Sequence, residues 1–170
     1  MTDSAAARRV LLIGFGNPGR LDDGLGPAVA DAVERLRLPG VTVESDYQLQ
    51  IEDAARIAEH DVVLFCDADA ACAPPFRFER VEPRADLSFT THSVSPQALL
   101  AMAKEHFGAE AAGFLLGIRA DELDGFGEGL SARARAHLAE ALAFLEPVLR
   151  DRDFEGCATG AATSVPANLG

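Results

Sequence analysis

The fold is decided first by residues 8–26, which read RRVLLIGFGNPGRLDDGLG. The apolar run within Arg8–Ile13 stops at Gly14, and a short run of this kind is typical of a strand that is buried on both faces. A glycine-rich loop follows, and the spacing of the apolar residues in Pro27–Leu36 then predicts a helix. A buried strand, a loop and a helix in this order indicate an α/β fold.

The same alternation continues along the chain. Further strands are predicted at Val41–Glu44, Val62–Cys66, Arg77–Glu82 and Phe114–Ile118, and further helices at Ile51–Ala58, Ser95–Phe107 and Ser131–Leu149. The segment Arg77–Glu82 has one polar face, which is typical of an edge strand. We therefore expect a three-layer α/β/α sandwich around a mostly parallel, twisted sheet of about five strands.

The length of 170 residues predicts one domain. We place this domain at residues 1–150, because the last periodic pattern ends there. Residues 151–170 are rich in Gly, Ala and Thr and show no apolar periodicity, so we expect a flexible C-terminal tail.

Charge and cysteine content exclude several classes of function. The net charge of −12 disfavours binding to nucleic acid, because an acidic surface repels phosphates. No apolar run approaches the ~18 residues of a membrane span, so we expect no membrane association. Three cysteines are an odd number at irregular spacing, which suits the reducing cytoplasm and argues against a disulfide framework.

Polar side chains that could carry chemistry follow four of the predicted strands. They are Asp22 and Asp23, then Asp46, then Asp67 with Asp69 beyond it, and finally His92. Ligands of open α/β sheets bind beyond the carboxyl ends of the strands. Two or three carboxylates with one imidazole suit a borderline divalent transition metal. Each residue alone could also be a turn or capping residue, and Asp22, just before a helix, fits that simpler interpretation best.

Two other interpretations start from the glycine-rich loop. Gly14, Gly16 and Gly19 have the spacing of a dinucleotide-binding loop, but Pro18 prolongs the loop and the acidic pair Asp22-Asp23 would repel phosphates. The same Gly-Asn-Pro-Gly run resembles peptidyl-tRNA hydrolase, although the following Leu-Asp-Asp-Gly and the acidic charge do not fit a tRNA partner. We expect no cofactor-binding residues in this loop.

A more specific resemblance rests on four motifs in order along the chain. They are Gly16-Asn17 with Asp22-Asp23-Gly24-x-Gly26, Leu64-Phe65-Cys66-Asp67-Ala68, Thr91-His92-x-x-Ser95, and Gly117-Ile118 before an acidic loop. Together they resemble the [NiFe]-hydrogenase maturation endopeptidases over roughly residues 8–149. These proteins remove a C-terminal extension from the hydrogenase large-subunit precursor after nickel insertion. The resemblance implies the same activity, the same partner and a cytoplasmic location.

The resemblance also implies roles for individual residues. Asp23, Asp67 and His92 fall on the positions that contact the metal, and Asp46 falls on an acid implicated in activity. The turn after Asp46 departs from the family, because Tyr47-Gln48-Leu49-Gln50 stands where many members have a glycine-rich sequence. We interpret the departure as a subgroup difference that tunes which large subunit the protein accepts.

The family's mechanism implies that the nickel is supplied by the precursor and that the protein need not carry a metal of its own, so we expect nickel binding by the isolated protein to be weak or absent. The ion could polarise the scissile carbonyl or activate water. Alternatively, Asp46 and another acid such as Asp23 could act as general base and acid in an aspartic-type mechanism. A serine or cysteine nucleophile is disfavoured, since there is no nucleophile elbow and Cys66 lies in an apolar strand. The competing class is a divalent-metal-binding maturation module without protease turnover.

Overall fold

The computed structural model describes residues 7–85 and 94–158. Its strands are β1 (Val10–Phe15), β2 (Val41–Asp46), β3 (Val62–Asp69), β4 (Phe76–Val81) and β5 (Ala112–Arg119). Its helices are α1 (Leu25–Leu36), α2 (Asp53–Ile57), α3 (Pro96–Phe107), α4 (Ala132–Asp151) and α5 (Phe154–Cys157). A short 3₁₀ turn, Leu21–Gly24, precedes α1.

The strands form one five-stranded sheet in the order β2-β1-β3-β5-β4. All neighbouring pairs are parallel except β4, which runs antiparallel to β5 at the edge of the sheet. Helices α1, α4 and α5 pack on one face, where the largest apolar cluster lies. Helices α2 and α3 pack on the other face. The predicted three-layer architecture and the edge position of β4 are confirmed.

Local chemistry explains where the two long C-terminal helices begin. The Ser95 hydroxyl accepts a hydrogen bond from the Ala98 amide at 3.0 Å, and Pro96 occupies the first turn of α3. The Ser131 hydroxyl accepts from the Ala134 amide at 3.1 Å in the same way. Both serines satisfy amides that the first turn of a helix leaves without partners.

Two glycines let α1 approach the sheet closely. A Cβ atom on Gly14 in β1 would overlap the carbonyl oxygen of Gly26 in the first turn of α1. A Cβ atom on Gly26 would in turn overlap the main chain at Phe15 and Cys66. This backbone contact fixes the turn that carries Asp22 and Asp23 against the carboxyl edge of the sheet.

The C-terminal segment differs from its prediction. Helix α4 continues to Asp151, and Phe154 of α5 is 0% exposed, with its ring 5.4 Å from that of Phe114. The Arg8 guanidinium ties Glu155 to the body of the domain at 2.7 Å. A domain boundary at residue 150 is therefore wrong, because a single buried aromatic holds residues 151–158 without any periodic pattern. The rest of the predicted tail, 159–170, lies outside the described residues.

Within the described ranges, no helix combines the length and the apolar character needed to cross a membrane.

Candidate active-site cleft

A cleft of about 570 Å³ lies at the carboxyl ends of β1 and β3. Its acidic residues are Asp23 and Asp67. Its remaining walls come from the end of β1, from the turn after β2, from β4 and β5, and from the start of α3. These walls are Phe15, Gly16, Tyr47, Gln48, Leu49, Arg77, Val94, Ser95, Pro96, Gln97 and Leu115. A larger depression of about 830 Å³ between α1 and β2 is lined by other residues. The chemistry predicted from the sequence therefore belongs to the smaller cleft.

Asp23 is placed in this cleft by the 3₁₀ turn before α1. One oxygen of its carboxylate accepts a hydrogen bond from the Asn17 amide at 2.8 Å. Gly16 has a φ of 144°, and a Cβ atom there would overlap the carbonyl oxygen of Asp23. Only glycine fits both conditions, which explains why the motif places a glycine seven residues before the acid.

Asp67 occupies the end of β3, on the face of the sheet that α2 and α3 cover. Its own hydrogen bond within the described chain is from the neighbouring Ala68 amide at 2.8 Å. Burial, together with the negative charges of Asp23 and Asp69, raises the pKa of Asp67 to about 7 against the opposing effects of that amide and of Arg77. The carboxyl group is therefore about half protonated near neutral pH.

Asp22 has a different role from its neighbour Asp23. Its side chain is 0% exposed and accepts hydrogen bonds from the amides of Asp121, Glu122 and Ser131 at 3.1, 3.0 and 2.8 Å, and from the Ser131 hydroxyl at 3.0 Å. Burial alone raises the pKa of this carboxyl, but the four hydrogen bonds outweigh it and hold the pKa below its ordinary value. Asp22 thus anchors the loop before α4, in line with the simpler interpretation of this residue.

Asp46 lies beside the cleft and is not part of its lining. It is exposed at the end of β2, and its carboxylate accepts from the next amide, that of Tyr47, at 2.7 Å. It lines a separate pocket of about 180 Å³, which shares Gly16 and Tyr47 with the cleft that contains Asp23 and Asp67. The structure therefore does not bring the predicted catalytic pair, Asp46 and Asp23, into one cleft. The catalytic role of Asp46 stays a prediction.

His92, the third predicted metal ligand, lies outside the described residues. Val94, two positions further along the chain, lines the cleft. Within residues 7–85 and 94–158, no group of three or more His, Cys, Asp or Glu residues could hold a metal ion. The structure thus brings Asp23 and Asp67 together, and the complete ligand set stays a prediction.

Asp69 and Arg77 form a pair that sequence reasoning did not resolve. The Asp69 carboxylate accepts from the Ala71 and Cys72 amides at 2.9 and 3.1 Å, and from Nε of Arg77. Burial raises the pKa of Asp69, but these bonds and the Arg77 charge leave it below its ordinary value. The alternation in Arg77–Glu82 indicated a polar face, but only the topology shows that this face joins the cleft.

The glycine-rich loop is already occupied by protein contacts. The Gly16 amide donates to the Asp46 carbonyl at 3.0 Å, and the Gly19 amide to the Asn17 side chain at 2.8 Å. The Asn17 amide is used by Asp23. A pyrophosphate would need such amides free, so the loop geometry disfavours the dinucleotide interpretation.

Cys66 has the environment of a core residue. It is 0% exposed, and burial raises the pKa of its thiol, with the charge of Asp67 acting in the same direction. A thiol held protonated in this way is a poor nucleophile, which supports the exclusion of cysteine chemistry.

The comparison with known proteins found no family model and no curated protein that matches the sequence. It did find solved structures. The [NiFe]-hydrogenase maturation protease HycI from Thermococcus kodakarensis KOD1 is 22% identical, with a TM-score of 0.67 over 87% of this chain and 97% of that one. The hydrogenase maturating endopeptidase HybD from E. coli is 21% identical, with a TM-score of 0.65 over 85% and 93%.

A third match has higher sequence identity. The hydrogenase 2 maturation peptidase from Thaumarchaeota archaeon SCGC_AB-539-E09 is 27% identical, with a TM-score of 0.62 over 83% of this chain and 97% of that one. These matches cover most of this chain and nearly the whole length of the neighbours. The resemblance drawn from the motifs is confirmed, and the chain has the fold of the hydrogenase maturation proteases.

Proposed function

We propose that the chain is a peptide hydrolase that removes the C-terminal extension of a [NiFe]-hydrogenase large-subunit precursor after nickel insertion. The observation that carries this proposal is the convergence of Asp23 and Asp67 in one cleft of this fold. Both residues come from motifs that resemble the maturation endopeptidases.

The nickel is part of the substrate in this proposal. Asp23 and Asp67 supply carboxylate oxygens to an open position of the ion, and His92 supplies an imidazole nitrogen. A mixed oxygen and nitrogen set favours borderline divalent ions over magnesium, which prefers oxygen alone. A precursor without nickel has no ion for these side chains to bind, so cleavage depends on completed metal insertion.

Two chemical routes fit this cleft. In the first, the substrate's nickel polarises the scissile carbonyl or activates water. In the second, an acid of the cleft takes a proton from water and returns it to the leaving amine. Asp23 belongs to the cleft in either route, whereas Asp46 reaches the substrate only if the peptide also crosses the neighbouring pocket.

The test is to mix the purified protein with nickel-loaded and nickel-free precursor and to follow the precursor mass. We expect a shortened product only with the loaded precursor. Equilibrium dialysis of the isolated protein should show weak nickel binding. Tight nickel binding without any cleavage would contradict the proposal and favour a metal-binding module.

Matched histidine variants address the third ligand. His92→Ala should abolish processing, because an all-carboxylate set discriminates poorly in favour of nickel. His106→Ala is the control, since His106 is exposed near the end of α3 and away from the strand ends. Equal loss in both variants would remove His92 from the proposed ligand set.

We place this reaction in the cytoplasm. The three cysteines, Cys66, Cys72 and Cys157, are all unpaired, as is usual for proteins of a reducing compartment.

A further inference from the structure

Three residues form a row across the sheet at the floor of the cleft. Asp67 of β3 is in register with Gly117 of β5, and Gly117 is in register with Arg77 of β4. Neighbouring strands lie about 4.8 Å apart, so the Cα atoms of Asp67 and Arg77 are about 10 Å apart. Both residues line the same cleft. The row therefore has an acid at one end, a cation at the other and no side chain between them on the central strand.

The cation is held in place by its neighbours. Nε of Arg77 donates to Asp69, and Nη1 donates to Glu79. Asp69 is itself fixed by the Ala71 and Cys72 amides. A Cβ atom on Gly117 would lie 3.2 Å from Nε of Arg77 and 3.0 Å from a carboxylate oxygen of Asp69. Glycine at this position thus leaves the space in which the Arg77–Asp69 pair lies.

Arg77 keeps donors for a ligand. A guanidinium has five N–H donors, and the bonds to Asp69 and Glu79 use two of them within the described chain. The side chain is 40% exposed. Among the described residues that line the cleft, Arg77 is the only Lys or Arg. Within the described lining, a peptide that crosses this cleft with its two acids meets a charged donor for its oxygen atoms at Arg77.

We propose that Arg77 is a substrate-binding residue that holds an oxygen acceptor of the peptide, about 10 Å across the sheet from the group held by Asp67. This inference rests on the proposed function. About three residues of extended chain span such a distance. The substrate segment then runs across β3, β5 and β4 at the carboxyl edge, above the Arg77–Asp69 pair that covers Gly117.

The test compares Arg77→Gln and Arg77→Lys with Arg80→Gln in cleavage of the nickel-loaded precursor. Arg80 is on the same strand but on the other face, where it pairs with Glu82 at 3.6 Å and lies 5.5 Å from the Phe114 ring centre. Loss of a charge-assisted hydrogen bond should lower kcat/KM of Arg77→Gln about 10–100-fold. Arg77→Lys should fall between this variant and the wild type, because it keeps the charge and loses the planar fork. Arg80→Gln should stay within about twofold of the wild type.

Binding of the precursor gives a second readout that does not need turnover. The Kd of Arg77→Gln for the loaded precursor should rise by about the same factor, while its Tm stays close to that of Arg80→Gln. If wild-type protein binds but never cleaves the precursor, the proposed function fails and this comparison of Kd values still decides the role of Arg77. Equal Kd and kcat/KM for Arg77→Gln and wild type, or equal losses in Arg77→Gln and Arg80→Gln, would overturn the inference.

Discussion

Asp22 and Asp67 lie at neighbouring strand ends, and both are withdrawn from water, yet their surroundings are opposite. Asp22 is 0% exposed and accepts four hydrogen bonds, which hold its pKa below the ordinary value. Asp67 accepts one described hydrogen bond and faces two other acids, and its pKa is raised to about 7. Burial alone therefore does not mark a functional carboxylate. The number of donors that compensate its charge separates the structural acid from the acid that is free to bind a ligand.

The largest effect is expected for Asp22→Ala. The substitution removes, at a fully buried side chain, the shared acceptor of three amides and one hydroxyl, so the free energy of unfolding should fall by about 3–5 kcal/mol. Urea denaturation measures this change. Asp31→Ala, at an exposed position of α1, is the control and should change stability by less than about 0.5 kcal/mol. If Asp22→Ala lowered the free energy of unfolding by less than about 1 kcal/mol, the contrast drawn between Asp22 and Asp67 would be wrong.

The opposite change, a gain in stability, is expected for Asp67→Asn. Because the folded state raises the pKa of this carboxyl, ionisation destabilises the fold as the pH rises from about 4 to about 7. The amide that replaces the carboxyl carries no charge, so the variant should be more stable than the wild type at pH 8, by up to about 4 kcal/mol, and nearly equal to it at pH 4. The same variant should lose precursor cleavage. Urea denaturation at both pH values provides the measurement, and a destabilised variant at pH 8 would refute the assignment.

The smallest effect is expected for an acid that is paired but exposed. Glu155 accepts two hydrogen bonds from Arg8 at 3.0 and 2.7 Å, and its side chain is 46% exposed. Exposed pairs contribute little, so Glu155→Gln should lower the free energy of unfolding by about 0.5 kcal/mol. High salt should reduce this difference further. If Glu155→Gln lowered the free energy of unfolding as much as Asp22→Ala, the number of hydrogen bonds alone, without burial, would determine the cost of replacing an acid.

The C-terminal segment gives an independent stability test. Phe154→Ala removes a fully buried ring from the core and should cost about 3–5 kcal/mol. Truncation after Arg150 removes the same ring and should have a similar effect on Tm. Phe107→Ala, at a ring that is 55% exposed, is the matched control and should change stability much less.

The fold was predictable because its signals are local. Apolar runs mark the buried strands, and Ser95 and Ser131 mark the helix starts within one turn of the residues they cap. The placement of Asp23 and Asp67 in one cleft was predictable for the same reason, since each follows an apolar strand, and their roles there stay a prediction.

The remaining features depend on contacts that no local pattern encodes. The partners of Asp22 lie about 100 residues further along the chain. The placement of Arg77 in the same cleft as Asp67 depends on the order β3-β5-β4, in which the fourth strand of the sequence becomes the edge. Phe154 anchors the C-terminal segment as a single residue and produces no periodicity.

The most direct test of the central claim observes the nickel itself. X-ray absorption at the nickel edge of the loaded precursor should gain oxygen or nitrogen scatterers at about 2.0–2.2 Å when the wild-type protein is added. The double variant Asp23→Asn with Asp67→Asn should lose the carboxylate part of this gain and keep at most the contribution of His92. An unchanged spectrum with wild-type protein, or the same new scatterers with the double variant, would contradict the claim that these two carboxylates recognise the metal.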